Sequence, residues 1–180
     1  MRIIAGAWRG RPLVSPTGAE TRPTADRARE TLFSMLTSRL GTFEGLRVAD
    51  LFAGTGALGL EALSRGAGHA TFVETDRAAL AALKANIAKL GAADRTDVLA
   101  RSADAPGTAI VAYDLVLLDP PYGKGLGERA LAALQQGRWL APGAWISVET
   151  RRDEALTAEG YTTDTVRTVG KASLHLLRAL

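Results

Sequence analysis

Two hydrophobic patterns alternate along this 180-residue chain. Short unbroken apolar runs such as Leu115-Val116-Leu117-Leu118 read as fully buried strands, while apolar residues spaced three and four apart read as helix faces. The pattern predicts strands at 47–51, 69–74, 96–100, 114–118 and 144–149, and helices at 57–65, 77–90, 104–111 and 126–136. Such alternation marks a parallel, doubly wound sheet. The tail differs: strands at 161–168 and 173–178 are joined only by Gly170-Lys171 and its flanks, too short for a crossover helix, so they pair antiparallel. At the other end, Arg2–Ala5 and Arg11–Val14 read as a hairpin around a Gly6-to-Gly10 turn carrying Trp8. Ser15–Pro23 is a loop, and Thr24 is placed to cap a helix to Leu40 with Leu32, Phe33, Leu36 and Leu40 on one face. The expected fold is α/β, Rossmann-like: a mostly parallel, doubly wound seven-stranded sheet with an antiparallel C-terminal pair. Residues 1–44 form a basic hairpin-and-helix extension, and 45–180 form one compact unit.

Composition narrows the class. At 47% hydrophobic and 23% charged residues, the chain suits one globular domain with a sizeable core. The absence of cysteine excludes disulfides, thiolate zinc sites and a cysteine nucleophile. Only His69 and His175 remain as imidazole ligands, both in strand-like stretches, so they read as structural and no metal is expected. No run has membrane-spanning length and Met1-Arg2-Ile3-Ile4 lacks a signal-peptide core, so a cytoplasmic location is expected. Residues 1–30 hold six arginines against three acids, which equals the whole net charge of +3. A basic arm on a near-neutral domain reads as a nucleic-acid contact, with an ordinary solvated face as the alternative.

Two motifs carry the chemistry. Asp119-Pro120-Pro121-Tyr122 follows the buried run 115–118 and so emerges at a strand's C-terminal end, where open α/β sheets bind ligands. The prolines leave free carbonyl acceptors, Asp119 adds a carboxylate and Tyr122 a flat face. That set suits a planar group bearing an NH2, such as a nucleobase amine; a proline-stiffened turn is the bland alternative. Earlier, Val48-Ala49-Asp50-Leu51-Phe52 leads into Ala53-Gly54-Thr55-Gly56-Ala57-Leu58-Gly59, a G-x-G-x-x-G between strand and helix. Glu74 ends the next strand, at the spacing of an acid that binds ribose hydroxyls. A dinucleotide would also fit this pattern, but Asp50 ahead of the glycines would repel a pyrophosphate and attract a sulfonium and an ammonium group. That favours S-adenosylmethionine over a nicotinamide cofactor.

The stretches Asp50–Gly56, Glu74 and Asp119–Tyr122 resemble those of adenosylmethionine-dependent amino methyltransferases. The chain as a whole resembles the bacterial RsmD family, through residues 2–11, 22–33 and 56–65. That resemblance implies methyl transfer to the N2 amine of one guanine in 16S ribosomal RNA, on naked RNA or on a small-subunit assembly intermediate, by a monomer. It implies a cofactor held by Asp50, Phe52, Ala53, Gly54, Thr55, Gly56, Glu74 and Asp104. Glu74 would accept from both ribose hydroxyls and Asp104 from the adenine amine, although Asp104 could equally be a plain helix cap. Asp119, Pro120, Pro121 and Tyr122 would form the catalytic stretch, with Tyr122 stacked on the target base. Arg9, Arg11, Arg22, Thr24, Arg27 and Arg29 would meet the RNA or close the pocket, against a reading of surface ion pairs along a helix. Trp8 could stack on a base or plug the hairpin onto the core. Two alternatives stand beside this function: an adenine-N6 DNA methyltransferase, for which no target-recognition segment is visible, and a non-catalytic RNA-binding assembly factor, against which the intact Asp50, Glu74 and Asp119 argue.

Overall fold

The structure, a computed structural model, describes residues 1–16 and 23–180; the side chain of Thr24 is also outside the described set, as is the predicted site residue Arg22. One seven-stranded sheet organises the chain. Its strands are β1 (Arg47–Leu51), β2 (His69–Val73), β3 (Thr96–Leu99), β4 (Tyr113–Leu118), β5 (Leu140–Arg151), β6 (Tyr161–Val169) and β7 (Ala172–Ala179), in the order β3-β2-β1-β4-β5-β7-β6. The first five are parallel, and β7 lies antiparallel between β5 and β6. Strand order reverses between β1 and β4, so the crevice of a doubly wound sheet opens at their C-terminal ends.

Alternate residues of each strand feed opposite faces. Val48, Phe72, Leu115 and Leu117 join the core under α1 (Pro23–Leu40), α2 (Ala57–Ser64) and α3 (Arg77–Lys89). Ala49, Leu51, Val116 and Leu118 face the other way, onto α4 (Leu126–Gln136) with Trp139 and Tyr161. The first core also takes Ile3, Leu13, Leu32, Phe33 and Leu36, so the N-terminal segment is packed into the sheet's own hydrophobic layer. The helix start of α3 follows from Asp76, whose carboxylate accepts from Ala79 N at 2.9 Å, and its end from Gly91 at φ 65°.

Three local expectations are corrected. No helix forms over 104–111: Pro106 removes a donor, Gly107 sits at φ 79°, and the segment bonds outward instead, Ala109 N to Gly137 O and Trp139 Nε1 to Gly107 O. The hairpin forms but its strands are shorter than expected: Arg2 pairs with Pro12, and Ile3 N bonds to Arg11 O, Gly10 N to Ile3 O and Leu13 N to Met1 O, while the amides of Ile4 and Ala5 turn away to the Glu61 carboxylate. Helix α1 begins at Pro23 rather than after Thr24; proline's fixed φ suits a first helical position, so Thr24 lies in the first turn. Helix α1 still runs to Leu40 as expected.

Candidate active site

The parallel register sets the site. Leu51 pairs with both Val73 and Leu118, and Leu118 pairs with Val148. The residues that follow three of these four are Glu74, Asp119 and Glu149, so carboxylates line up across the C-terminal edge of β2, β4 and β5. They border a cleft of about 640 Å³ that also reaches Asp104. No lysine or arginine lines that cleft among the described residues. An inner lobe of about 230 Å³ shares Phe52, Gly54, Asp119 and Glu149 and adds Asp50 and Arg29.

The glycine loop is built by close approach. Gly59 donates its amide to Asp50 Oδ2 at 2.9 Å, and a Cβ there would lie 2.4 Å from the Phe72 ring. Gly56, at φ 85°, would place a Cβ 2.4 Å from Leu83. Gly54, at φ 58°, has open space where a Cβ would project and donates to Glu74 Oε1 at 2.8 Å. Phe52 also takes φ 59°, a costly conformation for a bulky residue and one that collects at functional turns. Ala53 is buried and Thr55 half-buried; the Thr55 carbonyl accepts from Asn86 Nδ2.

Glu74 is braced on three amides: Gly54 on one oxygen, Thr75 and Asp76 on the other. That fixes its rotamer; Oε2 is fully used by two amides, and Oε1 keeps a lone-pair site toward the cleft. Asp50 is buried and its Oδ1 has no hydrogen-bond partner; burial first, then the nearby Asp119 and Glu74 charges, hold its carboxyl well above the usual range. An orphaned buried carboxylate oxygen beside an acid-lined cleft is the environment a cationic ligand would satisfy. It would repel a pyrophosphate, which argues against the dinucleotide alternative.

Asp119 is an exposed residue on the cleft wall. Desolvation, with the Glu149 charge and hydrogen bond added, pushes its carboxyl up to about 7. Tyr122 is 39% exposed and donates its hydroxyl to Glu149 Oε1 at 2.6 Å. Its phenol is raised above its ordinary value by burial and by Glu149. Pro120 is buried against the cleft and Pro121 lies on its rim. Glu149 was invisible to motif reading. The available signal was that Ile146-Ser147-Val148-Glu149 repeats the apolar-run-then-acid pattern of β1, β2 and β4.

Asp104 lines the cleft, accepts from the Ser102 hydroxyl and pairs with Arg129 at 3.4 Å; with no helix after it, the capping alternative falls away. The arginines divide. Arg29 is buried: it donates to Arg2 O at 2.7 Å and approaches Glu61 at 3.6 Å and Asp26 at 3.4 Å. Arg27 is exposed on α1. Arg9 and Arg11 are exposed, but the turn they flank docks at the far end of α2, Ala7 N on Ser64 O and Trp8 N on Ser64 Oγ, and Arg11 donates to Lys89 O at the end of α3. They therefore lie away from the cleft. Trp8, half-buried, packs on the core under Arg95, in the position the plug reading expects. Glu61, fully buried, accepts from Ile4 N at 2.8 Å, Ala5 N at 3.1 Å and Arg65 Nε at 2.9 Å. His69 pairs with Asp97 and His175 with Thr150, both structural. Among the described residues no group of three or more His, Cys, Asp or Glu is placed to hold a metal, and no helix is long and apolar enough to cross a membrane.

Comparison with known proteins agrees with this geometry. The family model described as conserved hypothetical protein 95 matches residues 1–178. The ribosomal RNA small subunit methyltransferase D of Haemophilus influenzae is 39% identical over 98% of this chain and 92% of its own. The protein of the same name from Escherichia coli is 42% identical over 87% of this chain and 77% of its own. A solved Escherichia coli structure named as a methyltransferase superposes with a TM-score of 0.84 at 37% identity, covering 99% of this chain and 97% of the other.

Proposed function

This chain belongs to the conserved hypothetical protein 95 family, the RsmD family, and on that premise we propose that it transfers a methyl group from S-adenosylmethionine to the N2 amine of a guanine in small-subunit ribosomal RNA. The observation that carries the reading is the cleft itself: four carboxylates, no lysine or arginine among the described residues, and the Asp-Pro-Pro-Tyr stretch, gathered where the strand order reverses. Such a wall takes cationic and N–H-rich partners.

Asp50, with its orphaned Oδ1, would hold the ammonium of the cofactor's methionine moiety, above the Gly54–Gly56 turn. Glu74, its rotamer fixed by three amides, would accept from the ribose hydroxyls, and Asp104 from the adenine amine. The cofactor supplies a methyl group carried on a positively charged sulfur.

The chain's own work is positioning and charge stabilisation. The N2 lone pair of guanine is delocalised into the ring. Asp119 and the Pro120 carbonyl would accept its N–H groups, favour a pyramidal nitrogen and aim the lone pair. Tyr122 would stack on the base once it has left its own stack. As positive charge builds on nitrogen, Asp119 stabilises it and takes the proton; a carboxylate with a raised pKa is a better acceptor than an ordinary one.

The deciding experiment offers labelled methyl donor with small-subunit RNA, partly assembled subunits and DNA, then maps the label. Label on a guanine N2 supports the reading. Label on DNA adenine, or none on any substrate, overturns it.

A further inference from the structure

Glu149 has no part in the reaction as derived so far, yet it stands in the cleft wall beside the residue that does the chemistry. Leu118 and Val148 are register partners on parallel β4 and β5, so the next residue on each strand is a carboxylate, Asp119 and Glu149. Both border the main cleft and its inner lobe. One Glu149 oxygen takes the Tyr122 hydroxyl at 2.6 Å, which fixes the side chain, and the carboxylate stands within hydrogen-bonding reach of Asp119.

Two acids side by side repel each other and are costly to hold; among the described residues no arginine or lysine lines the main cleft, and Arg29 in the inner lobe is engaged by Arg2 O, Asp26 and Glu61. Desolvation first, and then Glu149, push the Asp119 carboxyl up to about 7. Such a pair becomes favourable when a ligand brings two adjacent N–H donors. The Watson–Crick edge of guanine does so, with N1–H next to the N2 amine. Adenine presents a bare N1 lone pair beside its amine, which a carboxylate would repel. An acceptor pair alone therefore separates the two purines, and a site built around donors rejects an analogue that lacks one.

We propose that Glu149 accepts the N1–H of the target guanine while Asp119 holds the N2 amine, so that the adjacent carboxylates select guanine. This rests on the reading above that guanine N2 is the acceptor of the methyl group.

The test uses the RNA in which the label maps, with the target guanine replaced by 2-aminopurine. That base keeps the C2 amine but has no hydrogen on N1. The wild-type protein should prefer guanine by roughly 10- to 100-fold in kcat/KM, the loss expected for one hydrogen bond to a charged acceptor. Glu149→Gln keeps an oxygen for Tyr122 and gains an NH2 that can donate to N1 of 2-aminopurine, so its preference should collapse to within a few-fold. Glu149→Ala should lower the guanine rate without raising the 2-aminopurine rate. Cofactor affinity, measured by calorimetry, reports whether each variant keeps an intact site. A wild-type protein that uses both bases equally overturns the proposal. So does a Glu149→Gln variant that binds cofactor and keeps the wild-type preference. If that variant loses cofactor, the wild-type ratio decides alone. A wild-type protein that labels no guanine fails earlier, and takes the functional reading down with this one.

Discussion

Tyr122 donates its hydroxyl to Glu149 Oε1 across 2.6 Å, tying the loop that leaves β4 to the end of β5. The ring that would stack on a base is thus held by a strand some thirty residues further along the chain. Tyr122→Phe keeps the ring and removes the tether. Its kcat/KM should fall by about 10-fold, the low end for a hydrogen bond to a charged group at a partly exposed site. Tyr122→Ala should fall much further. Equal effects of the two substitutions would show that the hydroxyl, not the stacking face, matters.

Asp119→Ala should abolish turnover while calorimetry shows cofactor affinity largely intact, since Asp119 is assigned to the substrate amine. Asp119→Asn should be milder, because the amide keeps one acceptor. Wild-type turnover by Asp119→Ala would place the chemistry elsewhere.

The same carboxylate sets a pH profile. Its ordinary value lies near 3.8, and desolvation by the surrounding protein, then the Glu149 charge, raise it to about 7. Below that value the neutral acid predominates and its charge is lost as an acceptor; above it the carboxylate is present. The titratable and charged groups on the same walls are Glu149 from β5, Asp50 from β1, Glu74 from the end of β2, Asp104 and Tyr122 from loops, and, across the inner lobe, Asp26 and Arg29 of α1 and the amino group of Met1. The kcat/KM should therefore rise with pH through about 7 and level off. A flat profile across that range in the wild-type protein would contradict the assignment.

Glu74→Ala removes an acceptor for two ribose hydroxyls and leaves the Gly54, Thr75 and Asp76 amides without their shared partner. Charge-assisted bonds contribute about 1.5–3 kcal/mol each, so cofactor affinity should drop by at least 10-fold. Unchanged affinity in calorimetry would move the ribose to another part of the cleft.

Neutralising Arg9 and Arg11 together should weaken RNA binding and flatten its salt dependence by nearly two units of slope, if each meets a phosphate. Cofactor binding should be untouched, because both residues lie at the end of α2 and α3 opposite the cleft. Filter binding across salt concentrations decides it. An unaltered slope would leave these arginines as a solvated face.

The strands and the two motifs were legible because their signals are local: apolar runs, glycines at fixed offsets, an acid after a strand. The tail's antiparallel pairing followed from loop length alone. What was not legible depended on partners far along the chain. The segment 104–111 has helix-like apolar spacing, but Gly107 and Ala109 find carbonyl and indole partners around Gly137 and Trp139. Glu149 joins the site only through the β4–β5 register. The sequence resemblance places Arg29 at the RNA or at the closure of the pocket; only the fold brings it to Arg2 O and Glu61.

Glu61 gathers three segments that are far apart in sequence: the Ile4 and Ala5 amides, the Arg29 guanidinium and its own helix through Arg65. A buried acid stripped of such partners costs about 3–5 kcal/mol, a large share of a small domain's stability. The basic arm is therefore no removable accessory. A fragment cut at the linker before β1 would leave Glu61 with Arg65 alone and uncover the core that Ile3, Phe33 and Leu36 complete, so the sheet that holds the cleft and the segment that carries the net positive charge stand or fall together.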